Sequence, residues 1–390
     1  MREKMKNPTN HPIPVIYYHS VALKKNHRWV KNHLTLEVKY FEDQLKFLKK
    51  NNFQSIFLQD YYRHKNGINI LPKNSVCITF DDGYLDNWIY AFPILKKYNL
   101  KATIFVSPEF VDTRNPVRKN LEDYWNNKAS LEEIDNWGYM SWDEMRLMEN
   151  SGLIDIQSHT LTHTKYFVSD KLVDFHHPGR DSVEVIGNLY PHRKPYYIED
   201  KEFEKLIPYG YPIFEGASAV IAMKVEIHPG LIDEILKAVK SIDWTGNYDF
   251  SHVFSFAKPV FDRYLKQGKV VKEIETEDAY KKRVQEELRL SKNIIEKELN
   301  KKVLFCCWPY GDYNDLAHKT AINVGYLATT IVLNPGASAP NDRFNRFGLY
   351  HVRNNRYLSG LKAIYKIRSH QKIHPYYGIK RLYNLVKYGR

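Results

Sequence analysis

The chain has few cysteines and no long apolar run, and these two absences exclude several classes of protein. Only three of its 390 residues are cysteine, so a disulfide-stapled scaffold is excluded. Cys77, Cys306 and Cys307 lie in apolar segments and are expected to be reduced core residues. No stretch has the length of a membrane-spanning helix. The basic start, MREKMKNPTNHPIPVIYYHS, lacks the apolar core of a signal peptide, so we expect a cytoplasmic protein.

Acidic residues are absent from the last part of the chain. Residues 343–390 contain no Asp or Glu but twelve Lys or Arg, which account for nearly all of the formal net charge of +13. We interpret residues 356–390 as a basic amphipathic tail, in which residues 358–390 suit an anionic membrane surface. A solvated terminal helix is the equal alternative. Nucleic acid is not expected as a partner, because no recognisable nucleic-acid fold is present. The sequence sets no oligomeric state.

Apolar runs of strand length alternate with amphipathic helical segments through most of the chain. This alternation predicts an α/β fold in which crossover helices join parallel strands. Residues 166–274 interrupt the alternation and are rich in Tyr, Pro, His and Phe. We interpret them as an insertion within a domain that spans residues 13–355. The predicted strands are 14–20, 55–58, 76–80, 102–107, 153–158, 303–308 and 326–332, and the main predicted helices are 35–51, 87–99, one opening at Ser141, 230–242 and 276–300.

Two adjacent carboxylates end the apolar run VCITF. Asp81 and Asp82 stand where a parallel strand reaches the rim at which α/β proteins place their active sites. The alternative is structural, with Asp82 capping a helix that begins near Asp86. The dipeptide alone favours neither interpretation.

A second polar group, SHTLTH, follows the predicted strand LIDIQ. His159 and His163 are four residues apart, so one turn presents both imidazoles to the same side. Two histidines and a carboxylate, here Asp82, form the kind of three-ligand set that leaves a catalytic zinc ion one open position. Surface or capping histidines are the plainer alternative.

Two further segments end at the same predicted rim. The turn WPYG places Tyr310 where its backbone N–H could face a developing oxyanion, although an ordinary β-turn is the simpler interpretation. In YYHS, His19 ends the first predicted strand, and a buried structural histidine is the alternative there.

Together these motifs resemble the NodB-type polysaccharide deacetylases of carbohydrate esterase family 4. The resemblance covers residues 13–163 and 276–355, with TFDDG, HTLTH and WPYG as its most specific parts. PVIYYHS, MSWDEMRLMENSGL and ITFDDGYLDNW are most similar to the subgroup that deacetylates poly-N-acetylglucosamine. The resemblance implies a distorted (β/α) barrel.

By this resemblance, the chain is a metal-dependent hydrolase that removes N-acetyl groups from N-acetylhexosamine units of a polysaccharide or lipid-linked glycan. Asp81 is then the general base and His19 the acid, and Tyr310 supplies the backbone oxyanion donor. Asp82, His159 and His163 hold the metal, with Zn²⁺ expected first and Ni²⁺, Co²⁺ or Mn²⁺ as alternatives. The functional alternatives are a small-sugar deacetylase or other amide hydrolase and a non-catalytic glycan-binding protein.

The chain also departs from the family pattern. Many members place an arginine that orients the base three residues before the motif tyrosine, where this chain has Cys307. We predict that Arg353 replaces it. His351 is a rival to His19 as the acid, and Trp308 and Asp86 are candidates for substrate contact or support of the site. The aromatic insertion is expected to set substrate specificity, against the alternative that its rings only pack it onto the barrel.

Overall fold

Seven parallel strands close into a barrel in the computed structural model. The model describes residues 12–27, 29–333, 337–349 and 355–388, with side chains described as far as residue 383. The barrel closes because its first strand pairs with both its second and its last strand. This confirms the predicted (β/α) barrel. In chain order the barrel strands are β1 (Val15–Tyr18), β2 (Ser75–Phe80), β3 (Ala102–Val106), β4 (Ile154–Ser158), β5 (Phe305–Cys306), β6 (Ala328–Ile331) and β7 (Arg343–Gly348).

The barrel strands are buried on both faces. Every residue of β2 and of β3 is buried, as expected for parallel strands that are covered by helices outside and by one another inside. This burial explains why the strands appear in the sequence as short continuous apolar runs. All seven strands run in the same direction, so their carboxyl ends meet at one mouth.

Helices on the outside cover the barrel, and the predicted helix starts are confirmed at two places. The Ser141 side chain accepts from the Glu144 backbone while Glu144 reaches back to the Ser141 backbone. Thr276 caps the long helix that follows it. The segment predicted as a helix at 87–99 begins with a wider π turn at Asn87–Ala91. The α-helices are Val38–Lys50, Leu58–Lys65, Phe92–Lys97, Leu121–Trp125, Leu131–Ile134, Trp142–Asn150, Val183–Leu189, Pro229–Ala238, Phe250–Lys266, Glu277–Leu299, Asp315–Val324, Arg356–His370 and Tyr376–Tyr388.

The basic C-terminal region contains part of the barrel. Its first residues form β7, a strand that the sequence prediction missed. The helix Arg356–His370 packs against the helix Val38–Lys50, where a side chain at Gly360 would meet the Phe47 ring at 2.2 Å. This helix therefore belongs to the outer layer of the barrel, and only the segment after it extends further.

The insertion has a small core of its own. Two antiparallel strand pairs frame it, and its helices Pro229–Ala238 and Phe250–Lys266 pack on them around buried residues such as Phe175 and Leu231. The strand pairs are Lys165–Phe175 with Pro212–Ser218 and Val225–Ile227 with Val271–Ile274, and the short strands elsewhere are Ser20–Ala22, Thr35–Glu37 and Gln54–Ser55.

Among the described residues, none of the helices combines the length and the apolar character needed to cross a bilayer.

Candidate active site

A strained turn after β2 directs both aspartates to the mouth of the barrel. Asp82 and Gly83 have φ values of 73° and 75°, in the left-handed region that non-glycine residues rarely adopt. A side chain at Gly83 would come within 2.9 Å of Val106 Cγ1 on β3, so only glycine fits. Such strain is typical of functional sites. No side-chain hydrogen bond from Asp82 caps the following helical segment, whose N-cap is Asp86.

Asp82 lies against the two histidines of the HTLTH loop. Its Oδ1 is 3.1 Å from His159 Nε2 and 3.2 Å from His163 Nε2. Ligand atoms around a tetrahedral zinc ion, bound at about 2.0–2.1 Å, stand about 3.3 Å from one another, so these separations fit a metal site. These three side chains form a group that could hold a metal ion, as the sequence predicted.

A hydrogen bond from the second ring nitrogen of His159 fixes the tautomer and the orientation of that ring. Nδ1 lies 2.9 Å from the Cys307 backbone oxygen, a partner that only accepts, so Nδ1 carries the proton and donates. The Nε2 lone pair is then free to bind a cation, which is the support that metal-binding histidines usually have. The donor chemistry of the group therefore fits a metal ion as well as its spacing does.

The loop that carries both histidines is held by a buried glutamate. Glu287, on the helix Glu277–Leu299, accepts hydrogen bonds from the backbone N–H groups of Leu161 and Thr162 at 3.0 and 2.7 Å. It also accepts from the Thr162 hydroxyl at 2.8 Å. Burial raises the pKa of Glu287 despite these bonds. Sequence reasoning missed this residue, although a glutamate on the apolar face of a long helix was a signal.

Asp81 does not belong to the Asp/His/His group but is held by an arginine. Arg346, on β7, donates from its two terminal nitrogens to the two carboxylate oxygens at 2.7 and 2.9 Å. Burial alone would raise the pKa of the Asp81 carboxyl, but the Arg346 guanidinium holds it below its usual value. Arg346 also lies 2.8 Å from the Cys307 sulfur. Cys307 is the position at which many family members have arginine, so Arg346 brings a guanidinium to the same place from another strand.

The sequence prediction for this role was Arg353, which lies outside the described residues, as does His351. The structure therefore does not test either residue, but it shows that Asp81 already has a bidentate arginine partner. Arg346 was missed because it was counted with the basic tail.

His19 stands directly after β1 at the barrel mouth. Its Nε2 is 3.9 Å from Asp81 Oδ2, and its backbone oxygen accepts from the Asn87 side chain at 2.8 Å. The His19 side chain remains 16% exposed, so it borders both the base and the open cavity.

Tyr310 and Trp308 also line the cavity. Tyr310 has a φ of 61°, and its hydroxyl donates to Glu184 Oε1 at 3.0 Å and lies 3.3 Å from the His163 backbone oxygen. Trp308 is buried beside it and lines the same cavity. Glu184 comes from the insertion, so the insertion reaches the site, and this contact could not be predicted from spacing.

Asp86 is not brought to the cavity. It is buried, accepts from the Ser20 hydroxyl and from the Asn87 side chain, and burial raises its pKa to about 6. The predicted role in substrate contact therefore does not fit its position. Its contacts suit the other predicted role, support of the site, because Asp86 ties the segment after β1 to the turn that follows the two aspartates.

The candidate catalytic residues line a cavity of about 350 Å³. Asp81, Asp82, His19 and both loop histidines face it from the barrel, and the insertion contributes part of its wall. Water and one small acyl group with its carrier sugar can fit a space of this size, which is at the lower end of the ~300–1,000 Å³ typical of ligand pockets.

Comparison with known sequences gives the same family as the motifs. The family model described as polysaccharide deacetylase matches residues 69–197. A protein named poly-beta-1,6-N-acetyl-D-glucosamine N-deacetylase in Staphylococcus aureus (strain MSSA476) is 32% identical over 135 residues, which are 34% of this chain and 38% of the relative. The Escherichia coli (strain K12) protein of the same name is 27% identical over 127 residues, 33% and 18% of the two chains. The chain spans less than half the length of the curated relatives it matches.

Solved structures support the fold. The de-N-acetylase from Aggregatibacter actinomycetemcomitans superposes with a TM-score of 0.52 at 19% identity, covering 86% of this chain and 93% of that one. The BpsB deacetylase domain from Bordetella bronchiseptica gives 0.50 at 16% identity, covering 87% and 98%. At these identities the likeness concerns the barrel alone. The match of residues 69–197 to the family model, together with the named relatives, confirms the resemblance to the polysaccharide deacetylases that was seen in the sequence.

Proposed function

We propose that the protein hydrolyses N-acetyl groups of N-acetylhexosamine units in a glycan and releases acetate, with a bound divalent metal ion. The observation that carries this proposal is the division of the two aspartates. Asp82 faces two histidine nitrogens at 3.1 and 3.2 Å, while Asp81 is held apart by Arg346. One carboxylate is thus available for a metal and its neighbour for a proton, as hydrolysis of an amide requires.

Zinc is the proposed metal. Two imidazole nitrogens and one carboxylate oxygen form a mixed nitrogen and oxygen set, which suits zinc and other late first-row ions more than magnesium or calcium. When bound, such an ion lowers the pKa of a water to about 7 and polarises a carbonyl oxygen.

The chain's own residues supply the proton transfers. Asp81 accepts a proton from the water that attacks the acetamide carbon, and the bidentate contact with Arg346 keeps the carboxylate ionised and oriented. The carbon–nitrogen bond then breaks, and His19, 3.9 Å from Asp81, gives a proton to the leaving amine. Protonation is needed because an amide anion is a very poor leaving group.

Tyr310 is the proposed oxyanion donor through its backbone N–H. Its left-handed conformation is anchored at the side chain by Glu184 and at the turn by Gly311, whose N–H binds the Trp308 backbone oxygen at 3.1 Å. A donor fixed before the reaction stabilises the developing charge without reorganisation, which is the usual source of oxyanion stabilisation.

The substrate class follows from the relatives' names. Both relatives described above are named for poly-beta-1,6-N-acetyl-D-glucosamine, so a polymer of N-acetylhexosamine is the proposed substrate here. Acetate release from β-1,6-linked N-acetylglucosamine oligomers tests the proposal. The wild type and the surface control Asp143→Asn should release acetate, whereas Asp81→Asn should lose at least about a hundredfold, the lower range for a general base. Equal rates for Asp81→Asn and the control would refute it.

The C-terminal segment is proposed to contact an anionic membrane surface. Ile379, Leu382 and Tyr383 of the helix Tyr376–Tyr388 are 55%, 64% and 56% exposed, in a region without acidic residues. Each basic residue near anionic lipid contributes about 1 kcal/mol. The chain should sediment with vesicles that contain phosphatidylserine but not with vesicles of phosphatidylcholine alone. Truncation at residue 372 should abolish this sedimentation. Sedimentation that survives the truncation would contradict this contact.

A cytoplasmic location belongs to the same proposal. Cys77, Cys306 and Cys307 are free and buried, as in proteins kept under reducing conditions. Cell fractionation with a membrane wash of high ionic strength tests it, because salt should move the protein from the membrane to the soluble cytoplasmic fraction. Recovery outside the cytoplasmic membrane would contradict it.

A further inference from the structure

A second and larger cavity lies next to the catalytic one. It has a volume of about 1460 Å³ and runs between loops of the barrel, which bear Trp29 and Trp137, and the insertion, which bears Asp181 and Lys201. We call it the insertion cleft. Val183 and Tyr197 line both this cleft and the catalytic cavity, so one thin wall separates the two spaces.

The sizes of the two spaces suit different parts of one polymer. The catalytic cavity of about 350 Å³ is small for a ligand pocket, whereas the cleft exceeds the upper end of the ~300–1,000 Å³ that drug-sized ligands occupy. A single sugar unit fills the first space, and a polymer that enters it must place its neighbouring units somewhere close. The cleft is the adjoining space large enough to receive several units.

Ion pairs hold the insertion side of the cleft in place. Lys31 on a barrel loop lies 3.2 Å from Asp181 and 3.4 Å from Glu184. Lys194, which is buried, donates to Glu109 at 2.6 Å and to the Thr162 backbone oxygen at 3.0 Å. Charged contacts of this kind at several points make the wall a fixed surface, so the cleft exists before any ligand arrives.

Aromatic rings connect the cleft to the catalytic cavity. The Trp29 and Trp137 rings lie 6.5 Å apart, and the Trp29 ring is 5.0 Å from that of Tyr84, which lines the catalytic cavity. Trp137 is half-buried and presents part of its ring to the cleft. Aromatic faces pack on the C–H surface of sugar rings while the hydroxyl groups stay in water, so a tryptophan here suits a glycan.

Most charges in the cleft that have no oppositely charged partner are positive. Among the described lining residues, four of the five acidic side chains contact a basic group, and the fifth, Glu204, contacts only the Tyr209 hydroxyl. Lys25 and Lys201 are exposed and form no ion pair with a described residue. The cleft therefore repels an ammonium group more than a neutral acetamide. The acidic residues that contact a basic group are Asp135, Asp181, Glu199 and Asp200.

We propose that the insertion cleft binds the sugar units next to the reacting one and that it selects units that still carry their acetyl group. The assignment rests on the proposed deacetylase function. It implies a spaced pattern of deacetylation, because each ammonium group that the reaction creates weakens binding when it occupies the cleft.

Two variants test the binding role against a small substrate. Trp137→Ala removes the ring, and Val30→Arg places a long side chain at an exposed cleft position, where Val30 is 48% exposed. For each, the ratio of kcat/KM on a fully acetylated β-1,6-linked hexamer to kcat/KM on an aryl acetate ester should fall about tenfold, as for the loss of one good contact. Trp125→Ala, an exposed tryptophan outside the cleft, is the matched control and should keep the wild-type ratio.

A third variant tests the selection of acetylated units. The wild type at low ionic strength should prefer the fully acetylated hexamer over one in which alternate units are glucosamine, and Lys25→Glu combined with Lys201→Glu should reduce this preference about fivefold. A preference unchanged by that variant would overturn the selection.

The remaining outcomes separate the two proposals. If wild type releases acetate from the hexamer but Trp137→Ala and Val30→Arg keep its ratio, the cleft assignment is wrong and the deacetylase function stands. If Val30→Arg lowers the ratio while Trp137→Ala fails to fold, the assignment is supported by the first variant alone. If wild type releases no acetate from the hexamer, the proposed function fails and the cleft assignment falls with it.

Discussion

The buried pair of Arg346 and Asp81 can be tested by removing either partner. In Arg346→Met the aliphatic side chain keeps much of the volume, but the Asp81 carboxylate loses two hydrogen bonds of 2.7 and 2.9 Å. Arg346 and Asp81 are 5% and 4% exposed, so the carboxylate would lose its charged arginine partner in a largely buried position. The single substitution should therefore cost about 3–5 kcal/mol of unfolding free energy, the usual effect of leaving a buried charge alone.

The second partner gives the complementary measurement. Asp81→Asn leaves the Arg346 guanidinium without its counter-charge, although the Thr79 hydroxyl at 3.3 Å and the rings of Tyr17 and Phe105 still contact it. We therefore expect a smaller loss than in Arg346→Met. The double variant has no unpaired charge and should cost less than the sum of the two singles, by about 2–3 kcal/mol.

Urea unfolding followed by tryptophan fluorescence measures all four chains, and acetate release measures the catalytic effect. Arg346→Lys is the matched control, because it keeps the charge but cannot bind both carboxylate oxygens in parallel. Relative to Arg346→Met, Arg346→Lys should restore more of the stability than of the activity, because the orientation of Asp81 depends on the two parallel hydrogen bonds of the guanidinium. Additive losses in the double variant, or full activity in Arg346→Met, would refute the reasoning.

Three further predictions concern other parts of the structure. Gly83→Ala should cost about 1–3 kcal/mol and lower activity, because φ is 75° and the new methyl group meets Val106 at 2.9 Å; wild-type urea stability would contradict this. Burial, together with the charges of Lys380 and Lys366, lowers the pKa of His370 to about 3. Between pH 6.5 and 3 this histidine therefore takes up a proton in the unfolded chain but not in the folded one, so the free energy of unfolding decreases as the pH is lowered. His370→Gln should remove about 2 kcal/mol of this loss between pH 6.5 and 5, as measured from the urea midpoints of both chains at each pH. Curves of stability against pH that run parallel for the variant and the wild type would contradict this prediction. Glu184→Ala and Tyr310→Phe should each lower kcat/KM about tenfold and the double variant no further, because both remove the same 3.0 Å hydrogen bond; multiplicative losses would show separate roles.

The barrel and the convergence of Asp82, His159 and His163 could be predicted because local signals agreed. The strands of the barrel are buried on both faces, so they appear in the sequence as apolar runs bounded by turns. Asp82, His159 and His163 each follow such a run, and the carboxyl ends of parallel strands meet at one mouth. The convergence of these three residues could therefore be predicted from their positions at the ends of parallel strands.

Arg346 was hidden by its surroundings in the sequence. In RFNRFG, Phe344 and Arg346 are two apart and both buried on one face of β7, the alternation that a strand requires. Arg343 and Asn345 beside them, and the many basic residues that follow, gave the segment the composition of a basic tail. The alternation was the available signal for a strand. The burial of Arg346 could not be predicted, because its charged partner Asp81 is 265 residues away in the sequence.

The fold of residues 166–274 could not be predicted from the sequence. Their composition led to the prediction of an insertion, and in the structure the strand Lys165–Phe175 begins this region. The contact of Glu184 with Tyr310 spans 126 residues, and that of Lys31 with Glu184 spans 153. Pairings at such separations depend on how two surfaces dock, which no local pattern determines.

Metal content tests the central claim, the different duties of the two neighbouring aspartates, more directly than any other measurement. Purified wild type, Asp81→Asn and Asp82→Asn should be loaded with zinc, desalted and analysed by mass spectrometry for metal per chain. The account predicts about one ion in wild type and in Asp81→Asn, and little or none in Asp82→Asn. Asp81→Asn should nevertheless release acetate at least about a hundredfold more slowly than wild type. Loss of the ion with Asp81, or its full retention without Asp82, would contradict the account.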